Sequence, residues 1–164
     1  MKSLERLYLR LLGLMAGIAA AIFAAIAIAI PVNVLLRNVF ATGINGILDG
    51  VEYGLLAATF LAAPWVLARD AHVSVDIFAA ATGRFRPVLD RLVNLLGAGL
   101  ALVFLYYSLE ATLASAARGS MVRQTLVFPE WWALAMMPFS MAFITIEFVR
   151  RAIKRSDHRQ MIGL

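Results

Sequence analysis

His72 and Asp76 stand four residues apart. On a helix both would project from one face, the geometry of two metal ligands or of a histidine oriented by a carboxylate. A helical pair is a weak metal signal, and the spacing suits a His-to-Asp hydrogen bond or a contact with another chain. The remaining groups able to do chemistry are scattered. Thr112, Ser115 and Ser120 have no base in a triad-like context, and there is neither a Gly-rich phosphate loop nor a G-x-S-x-G elbow. With no cysteine in the chain, thiol catalysis, thiolate metal sites, iron–sulfur clusters and disulfide scaffolds are excluded. No catalytic, substrate-binding or metal site and no cofactor is expected here.

The elements that must position these groups are apolar. Of 164 residues, 62% are hydrophobic and 15% charged, against about 45–50% and about 25% in an ordinary soluble domain. Between Arg10 and Arg37 lie 26 uncharged residues, roughly 39 Å of helix against a bilayer core about 30 Å thick. That run is longer than a secretory signal of about 7–15 apolar residues, so it reads as an uncleaved anchor, with Pro31 placed to kink it. Three further runs complete a set of spans at about 11–36, 44–68, 92–117 and 131–148, the last opening on Trp131 and Trp132 where an aromatic belt would lie. Both histidines fall outside the spans, which excludes haem held between these helices. Glu110 follows 18 uncharged residues, about 27 Å of helix, and is expected at the outer interface as an interfacial carboxylate or a partner contact. A proton or substrate relay is the alternative.

Lys and Arg outside the spans number 3, 1, 4, 2 and 5 from the first tail to the last, giving 12 on one side and 3 on the other. The bias places both termini and the 69–91 loop in the cytoplasm. It also assigns the Arg150, Arg151, Lys154, Arg155 and Arg159 cluster to anionic phospholipid rather than to nucleic acid. Leu4, Leu7 and Leu11 predict an interfacial helix over 2–10. Asp70 as N-cap, with Val73, Ile77 and Ala80 or Ala81 on one face, predicts another over 71–82. The expected fold is an all-α integral membrane protein, one domain over 1–164, with four transmembrane helices, N-in and C-in.

Along the first span Gly13, Gly17, Ala21, Ala25 and Ala29 recur every four residues, a small-residue ridge that lets a second backbone approach closely. Chance in an alanine-rich helix, or packing within the chain, would produce the same spacing. Gly97 and Ala101 repeat it on the third span.

Residues 52–78 read EYGLLAATFLAAPWVLARDAHVSVDIF. This stretch resembles the small membrane subunit of tripartite ATP-independent periplasmic (TRAP) transporters, in which a Glu opens the second span and an H-V-x-V-D signature follows it. Glu52, His72, Val73, Val75 and Asp76 match, with Arg69 shortly before the signature. Thr125, Leu126, Pro129, Trp131 and Pro138 match a second family stretch. Ala71 stands where a Gly commonly precedes the His, and Phe139 and Ser140 replace a frequent Ile-Gly. The resemblance implies a non-catalytic subunit of a sodium-coupled transporter for organic acids in a bacterial inner membrane. Sodium and substrate would sit in a large multispanning membrane subunit, a periplasmic binding protein would deliver the substrate, and this chain would brace the scaffold.

Two other readings compete. A self-sufficient four-helix transporter of the multidrug-exporter type resembles a shorter chain with a carboxylate inside the first span, which has none here. A membrane anchor for an electron-transfer complex lacks histidines at the right places for haem. Under the first reading, His72→Ala and Asp76→Ala lose assembly with the large subunit without changing substrate affinity. Copurification together with uptake assays measures this, and unchanged assembly, stability and uptake would refute a structural role for the signature.

Overall fold

The computed structural model describes residues 2–69 and 86–153. Helix α1 (Lys2–Phe40) runs without interruption through Pro31. It is followed by α2 (Ile47–Ala68), α3 (Arg86–Arg118), a hairpin of β1 (Met121–Arg123) and β2 (Val127–Pro129), a short α4 (Glu130–Leu134) and α5 (Met136–Ile153). Four stretches are long and apolar enough to cross a membrane: Glu5–Phe40, Ile47–Ala68, Arg91–Arg118 and Glu130–Ile153. In each, only 17% of the most apolar window is buried inside the protein, so most of the apolar surface faces outward.

The helices form a row. α1 packs on α2, α2 on α5, and α5 on α3, which leaves α1 and α3 on the two flanks. The core between them is thin and made largely of small side chains: Leu12, Met15, Ala19, Ala58, Leu67, Ala98 and Ala101 are its buried apolar members. Small residues are what close helix approach requires where lipid removes the hydrophobic drive to associate. Gly54 meets Ile22 and Ile26 of α1, and Gly97 lies directly under the Phe148 ring of α5.

Three expectations need correction. The interfacial helix expected over 2–10 is no separate element but the first turns of α1. No Gly or Pro separates it from the span, and Glu5 and Tyr8 are held along α5 by contacts with Arg150 and Phe143. The fourth span is broken at Ala135 and extends to Ile153. Pro138 has no N–H to bond the Leu134 carbonyl, which accounts for the interruption. The fold is also not purely helical. β1 pairs antiparallel with β2 in the register Met121↔Pro129, Val122↔Phe128, Arg123↔Val127. The loop helix expected over 71–82, with His72 and Asp76, lies outside the described residues, as does the tail from Lys154 onward.

Turn chemistry explains the hairpin. α3 ends at Gly119, with φ at +64°, while Gly119 N–H bonds the Ala116 carbonyl and Ser120 N–H bonds the Ser115 carbonyl. This is a Schellman cap, and it turns the chain sharply off the helix. At the other connection Ala41 takes a left-handed φ of 51°, and Asn33 Oδ1 accepts from Ile44 N–H at 2.9 Å, folding the link back on α1.

A methyl group added at Gly97 would lie 2.6 Å from Phe148 Cε1. Gly97→Ala should therefore destabilise the α3–α5 contact by about 1–3 kcal/mol, the usual range for overpacking. Thermal unfolding in detergent measures this, and an unchanged midpoint would contradict the contact.

Candidate functional site

Polar side chains gather at the two ends of the row. At the end carrying Lys2 and Ile153, the Glu147 side chain is completely buried, with 0% exposure. Its spacing to Arg150 and Arg151, three and four residues on, puts all three on one face of α5. Arg150 Nη2 donates to Glu147 Oε1 at 2.7 Å and Arg150 Nε to Oε2 at 3.0 Å, a forked pair. Arg151 Nε adds a third bond to Oε1 at 3.2 Å. The cluster then reaches outward to the neighbouring helices. Arg150 Nη1 donates to Glu5 Oε1 of α1 at 3.0 Å, and Arg151 donates to the Leu67 carbonyl at the end of α2. The Tyr8 hydroxyl donates to the Phe143 carbonyl at 3.4 Å, with the Arg150 guanidinium 6.0 Å from the Tyr8 ring. Two carboxylates and two guanidinium groups balance in charge, as a buried ionic cluster must.

The opposite end is held by neutral and carboxylate contacts to the hairpin. Asp49, buried in the first turn of α2, accepts from Leu126 N–H at 2.9 Å. Gly46, with φ at +78°, lets α2 begin beneath the Leu126 side chain. Ser115 on α3 donates to Glu130 Oε2 at 2.8 Å, and Glu130 N–H bonds the Ser120 carbonyl at 3.0 Å. Tyr53 meets Phe128 edge-on at 4.8 Å. A cleft of about 250 Å³ opens there, lined by Tyr53, Phe60, Val122, Leu134 and Met137, and its carboxylate, Glu130, is already engaged by Ser115.

Between the ends the buried polar groups are small hydroxyls. Ser108, Thr112 and Thr145 donate to carbonyls of their own helices, Leu105, Ser108 and Met141. Ser140 Oγ is buried without a partner among the described residues. Among the described residues no three of His, Asp and Glu gather as a metal would need. Thr112 and Ser115 thus serve helix contacts, and their local partners are carbonyl and carboxylate acceptors.

The candidates from the sequence fall in separate places. Gly13, Gly17, Ala21 and Ala25 are exposed and Ala29 is half-buried, so most of the ridge faces away from the rest of the chain. Nothing lies within 4 Å of a methyl built at Gly13 or Gly17. Gly97 and Ala101, by contrast, face α5. Glu52 is exposed near the start of α2, and Arg69 lies 4.9 Å over the Trp65 ring at its end. Trp131 and Trp132 are exposed and stacked edge-on at 6.0 Å beside the hairpin. His72 and Asp76 lie outside the described residues. Arg150 and Arg151, assigned from sequence to lipid, are engaged in the internal cluster instead. Glu147, Glu5 and Asp49 were missed as structural residues. The Glu-x-x-Arg-Arg spacing at 147–151 carried a signal, but Glu5 and Leu67 are joined to it only through the fold.

Four apolar helices and paired charges at the bundle end define a multi-pass membrane protein. The sequence matches the family described as tripartite ATP-independent periplasmic transporters, DctQ component, over residues 26–157. The chain belongs to that family and is a small membrane subunit of a TRAP transporter. The family implies a complex with a large membrane subunit and a periplasmic binding protein. Comparison with curated proteins finds no match.

Removing one partner of a buried ionic cluster leaves the others uncompensated, at a cost of about 3–5 kcal/mol. Glu147→Ala should therefore lower stability by that order, and Glu5→Ala, whose carboxylate is partly exposed, by much less. Unfolding midpoints of the two variants in one detergent test this. Equal effects would contradict the central place of Glu147.

Proposed function

We propose that this chain is the bracing subunit of a sodium-coupled secondary transporter for organic acids in a bacterial inner membrane, with both termini cytoplasmic. The large subunit would carry sodium and substrate, and the binding protein would deliver the substrate from the periplasm. The observation that carries this reading is the distribution of polarity. Both ends of the helix row are pinned by hydrogen-bonded carboxylates, while the described interior between them holds only hydroxyl groups, mostly bonded to their own backbone. An ion or an anionic substrate crossing a membrane needs charged or converging polar ligands at depth. A thin, tightly packed row supplies few, and suits a fixed support.

The positive bias of the sequence supports the orientation, since Arg150 and Arg151 of the ionic cluster belong to the positively charged side proposed as cytoplasmic. Trp65 with Arg69 at that end, and Trp131 with Trp132 at the other, stand where anchors to the two membrane interfaces are expected. The small-residue ridge on α1 remains available to lipid or to a neighbouring helix.

Reconstitution tests the reading. Proteoliposomes holding this chain, the large membrane subunit and the binding protein should accumulate an organic acid only under an inward sodium gradient, and those with this chain by itself should accumulate none. Uptake by this chain without the large subunit would overturn it.

A further inference from the structure

The outward face of α3 carries a carboxylate that no other described part of the chain answers. Glu110 is exposed, and among the described residues it has no hydrogen-bond or ion-pair partner. Its depth follows from fixed points on α3. Ser115, bonded to Glu130, lies five residues further on, about 7.5 Å along the helix, and the Arg118 end about 12 Å. In the other direction Gly97, level with Phe148 and so beside the Glu147 cluster, is about 20 Å away. Glu110 thus stands short of either polar end of the row, one to two turns inward of the Ser115–Glu130 contact and so deeper than the interfacial level expected from the sequence. A Glu side chain lacks the long stem with which Lys or Arg reaches back to water.

The same face is patterned for a helix. Leu96, Gly99, Val103, Tyr106, Glu110 and Leu113 follow one another at steps of three, four, three, four and three, the seam of a left-handed helix pair. All six are exposed. Nothing lies within 4 Å of a methyl built at Gly99, which leaves a point of close approach. Tyr106 and the adjacent Tyr107, 66% and 64% exposed, stand four and three residues before the carboxylate on the helix. The opposite face, with Ala98, Ala101, Ser108, Thr112 and Ser115, is already used against α5 and α4.

We propose that this seam docks a transmembrane helix of the large membrane subunit that presents a cationic side chain to Glu110. The proposal rests on the bracing role set out above and names the face and the charge that would serve it. Charge decides between occupants. Acyl chains offer no donor, and a second copy docking by a two-fold axis through the seam would bring two Glu110 carboxylates together. A heterologous helix with Arg or Lys satisfies the carboxylate and covers the apolar steps on either side.

The chain has no cysteine, so single-cysteine probes are clean. In the complex of full chain and large subunit, Leu96→Cys and Val103→Cys carrying a benzophenone label should form adducts with the large subunit. Glu110→Leu should cut the large subunit retained on washed, immobilised chain at least tenfold, and Glu110→Asp should retain more than Glu110→Leu. Lipid adducts only, adducts between two copies, or adducts confined to probes at Gly13 and Gly17 of α1 would overturn the seam, as would wild-type retention by Glu110→Leu. Failure of the wild-type chain to copurify with the large subunit would instead overturn the bracing role, and the seam with it.

Discussion

A carboxylate removed from water must be answered by cations held close to it, and Glu147 is answered by Arg150 and Arg151 from its own helix. That requirement propagates. With both guanidinium groups turned toward Glu147, the rotation of α5 is set. Their remaining donors then fix Glu5 of α1 and the Leu67 carbonyl of α2 at the same level. Three helices are thereby brought into register by one buried charge. The face of α1 that lies inward, with Leu12, Met15 and Ala19, is a consequence of that register, and so is the outward position of Gly13 and Gly17.

The hairpin end repeats the device with weaker bonds. Asp49 holds the hairpin by a backbone N–H, and Ser115 holds the start of α4 by its carboxylate. Between the two ends the contacts are those of small residues, where an added methyl at Gly97 would strike Phe148. Such packing transmits position rather than accommodating change. This is the physical content of the proposed bracing role: a row pinned at both ends and tightly packed between.

Much of this was legible in the sequence because lipid imposes a simple requirement. A helix that must cross about 30 Å of hydrocarbon announces itself by composition, and the structure has, among the described residues, four helices long and apolar enough to do so. What escaped was set by tertiary partners. Residues 2–10 are amphipathic enough to lie on a membrane, but Arg150 and Phe143 hold them as the beginning of α1. The hairpin has only three residues in each strand and depends on the Gly119 cap and on Asp49, so no alternating pattern marked it. Arg150 and Arg151 look like any positively charged tail until Glu5 is seen across from them. The ridge on α1 was readable as a spacing, but which side it faces was not, because that depends on where α2 packs.

The central claim is that the helix row keeps its shape while the transporter works. The most direct measurement is the distance between spin labels on the two flanks, at Leu14 of α1 and Leu100 of α3, both exposed, in the assembled complex with sodium and substrate present or absent. The account predicts one narrow distance distribution, the same in every condition. A shifted or second distance on adding sodium or substrate would contradict it.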